Sequence, residues 1–133
     1  MPPISANRAG VILAVDDVAA LTDFYTTHLG FTVEAQYESP AYTTLVNGAT
    51  RLSLAEQGHP ANDLPGFTMT VLPQGPTPNH CLVLEVDDCD AAYEQLRSAG
   101  VEVRSEVFRP PWGGARFFLT DPEGNLIELE TLA

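Results

Sequence analysis

The chain contains no lysine. Its six positive charges are all arginines, set against 18 acidic residues, which leaves a net charge of −12. Schiff-base chemistry on a lysine is therefore excluded. So strong an acidic balance speaks against a nucleic-acid surface and against docking on anionic lipid, and it is compatible with a cationic ligand. Cysteine is scarce as well: Cys81 and Cys89 form no CxxC or zinc-like set. A disulfide between them would need a strand start to meet the following helix start, so two reduced thiols in a cytoplasmic protein is the simpler expectation. Long apolar runs are missing. The longest, Ala9 to Val15, is too short to span a bilayer. The opening MPPISANRAG lacks a basic region leading into an apolar core and a small-residue cleavage site, which predicts no signal peptide. No nucleotide-binding glycine pattern follows a strand. No histidine has a serine or cysteine partner at recognisable spacing, so nucleophilic catalysis has no support.

What remains is an ordinary globular composition. With 133 residues, 44% of them apolar, and no low-complexity tract, the chain predicts a single domain over 1–133, large enough for a core without disulfides. Ala9 to Val15 reads as a buried strand. Asp16-Asp17 can cap a helix beginning at Val18, whose Leu21, Phe24, Tyr25 and Leu29 recur at helical spacing until Gly30 stops it. Phe31 to Tyr37 alternates as a strand. Ala41 to Val46 and Ala49 to Ala55 follow as a pair around Asn47-Gly48, where both residues can take positive φ.

From 57 to 79 the composition changes to five prolines and three glycines, with only Phe67 to Leu72 able to extend. A connector between halves is the expectation, with lid duty as the alternative. The first pattern then returns. Cys81 to Val86 is a strand, Asp87-Asp88 caps a helix carrying Ala92, Tyr93, Leu96 and Ala99, Gly100 ends it, and Val101 to Val103 begins another strand. The last hairpin runs from Phe117 to Leu129 around Asp121-Pro122-Glu123-Gly124-Asn125, where Pro122 presets φ and Gly124 or Asn125 can take positive φ. Element order and turn placement thus predict an internal repeat: a β-α-β-β-β module over 8–56, the connector over 57–79, and a second module over 80–132. One module cannot bury its sheet alone, so the shared interior is where a site is expected.

With these residues in place, DDVAALTDFYTTHLGFTVE resembles the first helix and second strand of the vicinal oxygen chelate superfamily, the glyoxalases, extradiol dioxygenases and bleomycin-resistance proteins. FFLTDPEGNLIELE resembles its last hairpin, and PPWGGARFFLTDPEGN looks in particular like the bleomycin-binding branch. The resemblance implies an α+β fold in which the two modules pair into an incomplete barrel around a cavity. In the superfamily's enzymes a divalent metal is held from four strand positions. These correspond here to Gly10, Ser53, Cys81 and Glu128, and only Glu128 is a ligand of the expected type. His80 sits one residue off register, facing the other way unless a bulge rotates it inward. A catalytic site needs about three protein ligands, so the metal site is read as lost and no cofactor is expected.

In the return strand Leu126, Glu128 and Glu130 share one face, and a carboxylate there faces either water or a cavity. Glu128 is a candidate for meeting a cationic group or marks the remnant of a metal site. Its plainer role is an ion pair with an arginine such as Arg116, or a place at a wet rim. Trp112, between Pro111 and Gly113-Gly114, can stack on a planar or cationic ligand for roughly 0.5–2 kcal/mol, or cap the barrel end. Tyr42 can offer its hydroxyl to a ligand or serve as a half-buried structural tyrosine. Phe118, Arg116, Ser53 and Cys81 complete the expected ligand-binding set. His28 is expected to gain from a helix C-terminus, His59 to face solvent, and His80 to bond backbone at a strand start. The leading expectation is a non-catalytic binder that sequesters a small, antibiotic-like aromatic molecule, cationic or neutral. The alternative is a metal-dependent lyase, isomerase or dioxygenase with shifted ligands. A homodimer is expected, since small two-module chains of the superfamily commonly associate and two-fold pairing is the commonest assembly.

Overall fold

The computed structural model describes residues 1–60, 63–73 and 78–133. Pro76, one of the connector prolines, lies outside the described residues. The chain divides into two compact units, Met1–Leu72 and Pro73–Ala133. It is an α+β protein with two mixed sheets and two helices among the described residues. Among the described residues no helix is long and apolar enough to cross a membrane.

The first unit contains β1 (Ala9–Val15), α1 (Val18–His28), β2 (Thr32–Glu38), β3 (Ala41–Asn47) and β4 (Thr50–Glu56), in the sheet order β1-β4-β3-β2. β1 runs parallel to β4, and the other pairs are antiparallel. Helix α1 is the crossover that this parallel pairing requires. Asp17 starts it, its carboxylate accepting the Ala20 N–H at 2.9 Å, a cap worth about 1 kcal/mol. Gly30 stops it at φ +72°, the left-handed conformation a glycine adopts without cost. Register places Val11, Leu52, Leu45 and Val33 on one face of the sheet, with Leu13, Leu54 and Thr43 beside them. Asn47, two residues along that face from Leu45, donates from Nδ2 to the Leu29 carbonyl at 2.8 Å, which fixes this as the helix face. Leu45, Leu52 and Leu54 are fully buried there with Leu21 and Tyr25, and Phe31 meets the Tyr25 ring edge-on. Each such side chain contributes roughly 1.5–3 kcal/mol.

Two local expectations change here. The tight turn is Gly48-Ala49 rather than Asn47-Gly48: Asn47 pairs with Thr50 as the last strand residue, and Gly48 alone takes positive φ, at +58°. Asn47 remains in the strand because its side chain holds the end of α1. The described part of the Pro-rich segment is also more ordered than a spacer. Gly58 donates to the Met69 carbonyl, Met69 donates to His59, and Pro60 bridges Thr68. The extension expected at Phe67 to Leu72 is reduced to that one bridge.

The second unit contains β5 (Leu82–Glu85), α2 (Cys89–Ser98), β6 (Ala115–Thr120) and β7 (Leu126–Thr131), in the sheet order β5-β7-β6. Again the first strand lies parallel to the last, with a helix between them. Asp88 caps α2 by accepting the Ala91 N–H at 3.0 Å. Its end is a paired cap in which Gly100 donates to Arg97 and Val101 donates to Leu96, with Gly100 at φ +80°. Phe117, Leu119, Ile127 and Leu129 are buried, and Tyr93 of α2 meets the Phe117 ring edge-on at 5.1 Å, so this is the helix face.

The strand expected at Val101 to Val103 does not form. Residues 103–108 run beside β6 with only the isolated bridges Val103↔Leu119 and Phe108↔Arg116. Between them the Ser105 hydroxyl, not a backbone carbonyl, accepts the Phe118 N–H at 2.9 Å, which breaks the ladder. Pro110 and Pro111, which lack N–H groups, prevent its continuation. The hairpin from β6 to β7 is organised by Asp121, which is buried. Its Oδ1 accepts the Glu123 and Asn125 N–H groups at 2.9 and 3.0 Å, the Asn125 side chain donates to both its oxygens, and Gly124 takes φ +85°.

Candidate functional site

Side chains alternate along β6 and β7, so the residues between the buried ones form the sheet face turned away from α2. Arg116 and Phe118 stand there on β6, Glu128 and Glu130 on β7, and Val83 on β5. Register sets Phe118 and Val83 on either side of Glu128, and Arg116 opposite Glu130. Cys81, two residues before Val83, lies against the Glu128 backbone. Four sequence-predicted residues, Arg116, Phe118, Cys81 and Glu128, are thus brought together within one unit.

The Glu128 side chain is 12% exposed, and its Oε1 is 3.8 Å from Nη1 of Arg116. That separation is an ion pair without a hydrogen bond. Burial pushes the Glu128 carboxyl above the usual carboxylate range, the charge of Glu130 adds to the effect, and Arg116 opposes it. The Arg116 guanidinium also rests over the Phe108 ring, 5.6 Å from its centre. Burial likewise raises the Cys81 thiol, and the neighbouring Glu128 charge raises it further, so this cysteine is a neutral thiol rather than a nucleophilic thiolate.

Trp112 is 72% exposed, so it does not cap a core. Its loop is nevertheless fixed. Gly113 donates to the Pro110 carbonyl at 3.0 Å, and Gly114 takes φ +79° where a Cβ would lie 2.4 Å from the Thr131 carbonyl oxygen. Those glycines let the loop approach the end of β7 while the indole projects outward.

Ser53 and Tyr42 belong to the first unit and are engaged locally. The buried Ser53 hydroxyl is 3.1 Å from that of Thr44, on the face turned away from α1. The Tyr42 ring packs edge-on against His59 at 5.4 Å. The expectation that His59 faces solvent is therefore corrected: it is half-buried, because the Pro-rich segment folds back over Tyr42. His80 is exposed, and its Nδ1 lies 3.0 Å from Asn79 Oδ1, not against backbone as expected. His28 lies in the last turn of α1, as expected. Both cysteines are free thiols.

The four positions that carry metal ligands in the related enzymes do not suit a divalent ion here. A Cβ at Gly10 would meet the Arg51 carbonyl oxygen at 2.9 Å, so a side chain there requires a backbone shift. Ser53 is a neutral hydroxyl already bonded to Thr44. Cys81 and Glu128 alone fall short of the three ligands a catalytic ion needs. Among the described residues no group of three or more His, Cys, Asp or Glu side chains could hold a metal.

A separate depression of about 210 Å³ opens at the start of α2, between Asp87, Asp88, Asp90 and Arg109. Asp88 is engaged in capping the helix, and Asp90 pairs with Arg109. None of the expected site residues lines it. Two participants in the site escaped the sequence reading. Phe108 gave no signal, because only its bridge to Arg116 brings it into place. Val83 was visible as a strand residue, but its pairing with Glu128 was not.

Comparison with known proteins identifies the architecture. The family model "Glyoxalase/Bleomycin resistance protein/Dioxygenase superfamily" matches residues 8–129. A lactoylglutathione lyase from Agrobacterium tumefaciens is similar at a TM-score of 0.75 and 21% identity, over 98% of this chain and 96% of that one. A glyoxalase/bleomycin resistance protein/dioxygenase from Nocardioides gives 0.74 and 23%, over 98% and 86%. TioX from Micromonospora sp. ML1 gives 0.74 and 20%, over 96% and 100%. No curated protein matches the sequence at a significant level. At these identities the solved structures establish the fold alone.

Proposed function

The chain belongs to the Glyoxalase/Bleomycin resistance protein/Dioxygenase superfamily, and within it we propose a metal-free binding protein that sequesters a small aromatic, antibiotic-like compound in the cytoplasm without turning it over. The observation that carries this reading is Glu128, a carboxylate mostly withdrawn from water whose one ion-pair partner among the described residues stands 3.8 Å away without a hydrogen bond. Such a group shares no hydrogen bond with its arginine and so keeps acceptor capacity for a ligand's positive charge. Phe118 and Val83 flank it with apolar surface. Trp112 offers an exposed ring on a fixed loop. The residues at the superfamily's ligand positions supply too few donors for a metal, and the neutral thiol of Cys81 offers no nucleophile.

A homodimer is part of the same reading. β1 is an edge strand with Val11 and Ile12 exposed, an apolar edge of the kind that proteins cover. A sedimentation mass of one chain at tens of micromolar would remove that part.

The test of the binding reading is a fluorescence titration of Trp112, the sole tryptophan, with a bleomycin-type glycopeptide and other planar cations. Saturable binding that weakens about tenfold in Glu128→Gln, the loss of roughly 1.4 kcal/mol, is expected. Near one zinc, nickel, iron or manganese per purified chain by elemental analysis, with activity lost on chelation, would instead establish a metal-dependent lyase, isomerase or dioxygenase.

A further inference from the structure

We propose that the Glu128 face selects a zwitterionic aromatic compound, one carrying an amine and a carboxylate on the same body, with Glu128 taking the ammonium and Arg116 the carboxylate. The proposal rests on the binding reading above and narrows its ligand class. Arg116 and Glu128 are diagonal neighbours on β6 and β7, because Phe118 stands opposite Glu128 and Arg116 opposite Glu130. The diagonal offset leaves the two charged heads side by side rather than locked together. At 3.8 Å they attract without sharing a hydrogen bond, so both keep donor and acceptor capacity for a third group. Arg116 is held by its stack on Phe108, so its guanidinium has a resting place that does not depend on Glu128.

Charge arithmetic then chooses the ligand. A simple cation drawn to Glu128 is repelled by Arg116 at a comparable distance, so by Coulomb's law Arg116 removes much of the attraction. A simple anion drawn to Arg116 is repelled by both Glu128 and Glu130. A zwitterion reverses the sign of both unfavourable pairs at once. Glu130 strengthens the pull on an ammonium, as its effect on the Glu128 carboxyl shows, and it makes no ion pair with Arg116 among the described residues. Phe118, Phe108 and Val83 supply apolar and aromatic surface beside the two heads.

The test compares three probes that share a phenethyl body and differ in the charged groups it carries: L-phenylalanine, phenethylamine and 3-phenylpropionate, titrated calorimetrically. L-phenylalanine is expected to bind at least tenfold more tightly than either of the others. Arg116→Met should pass the preference to phenethylamine, and Glu128→Gln should pass it to 3-phenylpropionate, with circular dichroism confirming that both variants fold. Phenethylamine binding the parent as tightly as L-phenylalanine, or an order unchanged in Arg116→Met, would overturn the proposal. If ethidium binds saturably while L-phenylalanine does not, the zwitterion preference is wrong and the binding reading stands. If none of the four binds, both fall.

Discussion

The two units repeat one topology, with the first strand parallel to the last and a capped helix between, yet they use their second sheet face in opposite ways. In the first unit that face carries Ser53 and Thr44, whose hydroxyls share one hydrogen bond, Gly10, where the backbone of Arg51 approaches too closely for a side chain, and Arg51 itself. In the second unit the same face carries Glu128 and Arg116, which attract but do not satisfy each other. A buried neutral pair that shares a hydrogen bond spends most of its polarity within the sheet. A charged pair that shares no hydrogen bond keeps donor and acceptor capacity for a third group. On the binding reading proposed above, the face of the second unit is the one that would meet a ligand.

The turns divide in the same way, and they give the largest expected effect. The β3–β4 hairpin needs only the positive φ of Gly48, where a Cβ would meet nothing. The β6–β7 hairpin is built on Asp121, whose buried carboxylate accepts from two backbone N–H groups and the Asn125 side chain. Asp121→Ala should cost about 2–4 kcal/mol, since hydrogen bonds to a charged group are worth roughly 1.5–3 kcal/mol and their donors are left buried. Gly48→Ala should cost only about 1 kcal/mol, the penalty for a left-handed non-glycine residue. Urea denaturation measures both. Equal costs would show that the second hairpin is no more dependent on side chains than the first.

The two faces themselves give a smaller and sharper contrast. Ser53→Ala leaves the Thr44 hydroxyl buried without its partner and should cost about 1–2 kcal/mol of stability. It should leave ligand affinity unchanged, because Ser53 belongs to the buried neutral pair. Trp112→Ala should do the reverse. The side chain is too exposed to hold the fold, so the melting temperature should stay put while affinity for a planar ligand falls about tenfold. Thermal scans and titrations on the same preparations separate the two outcomes. A Ser53→Ala protein that binds weakly would place the first unit in the site.

These contrasts also show what the sequence could and could not say. Strand and helix bounds were legible because apolar spacing and aspartate caps act locally: Asp17 and Asp88 start the two helices where the pattern places them. The alternation Leu126, Glu128, Glu130 was enough to put Glu128 on the face away from α2. What failed depends on partners distant in sequence. Val101 to Val103 has the composition of a strand, but the Ser105 hydroxyl takes the hydrogen bond that would have continued it. Asn47 looks like a turn residue until the end of α1 arrives to receive its side chain. His59 reads as a solvent-facing loop residue because nothing local reveals that its segment folds back on Tyr42. The pair at Glu128 was foreseen in kind, and its separation of 3.8 Å, on which its chemistry turns, is a tertiary quantity.

The smallest expected effect is the pH dependence contributed by Glu128, and its sign distinguishes the two faces once more. Burial raises the Glu128 carboxyl in the folded state, more than Arg116 lowers it. The folded chain therefore holds this proton more tightly than the unfolded chain, and the group disfavours folding as it ionises. Its contribution is absent below the unfolded carboxylate range, grows as pH rises through the interval up to the raised folded value, and persists at neutral pH. In Glu128→Gln that penalty disappears, so the variant should melt at or above the parent temperature at pH 8. At pH 4, where the parent carboxyl is largely protonated when folded, the two should converge. Ser53→Ala, which removes no titrating group, should show the same deficit at both pH values. A Glu128→Gln protein less stable than the parent at pH 8 would mean that Arg116 over-compensates the burial. Glu128 would then be a structural ion pair, and the second face would spend its polarity within the sheet as the neutral pair of the first does.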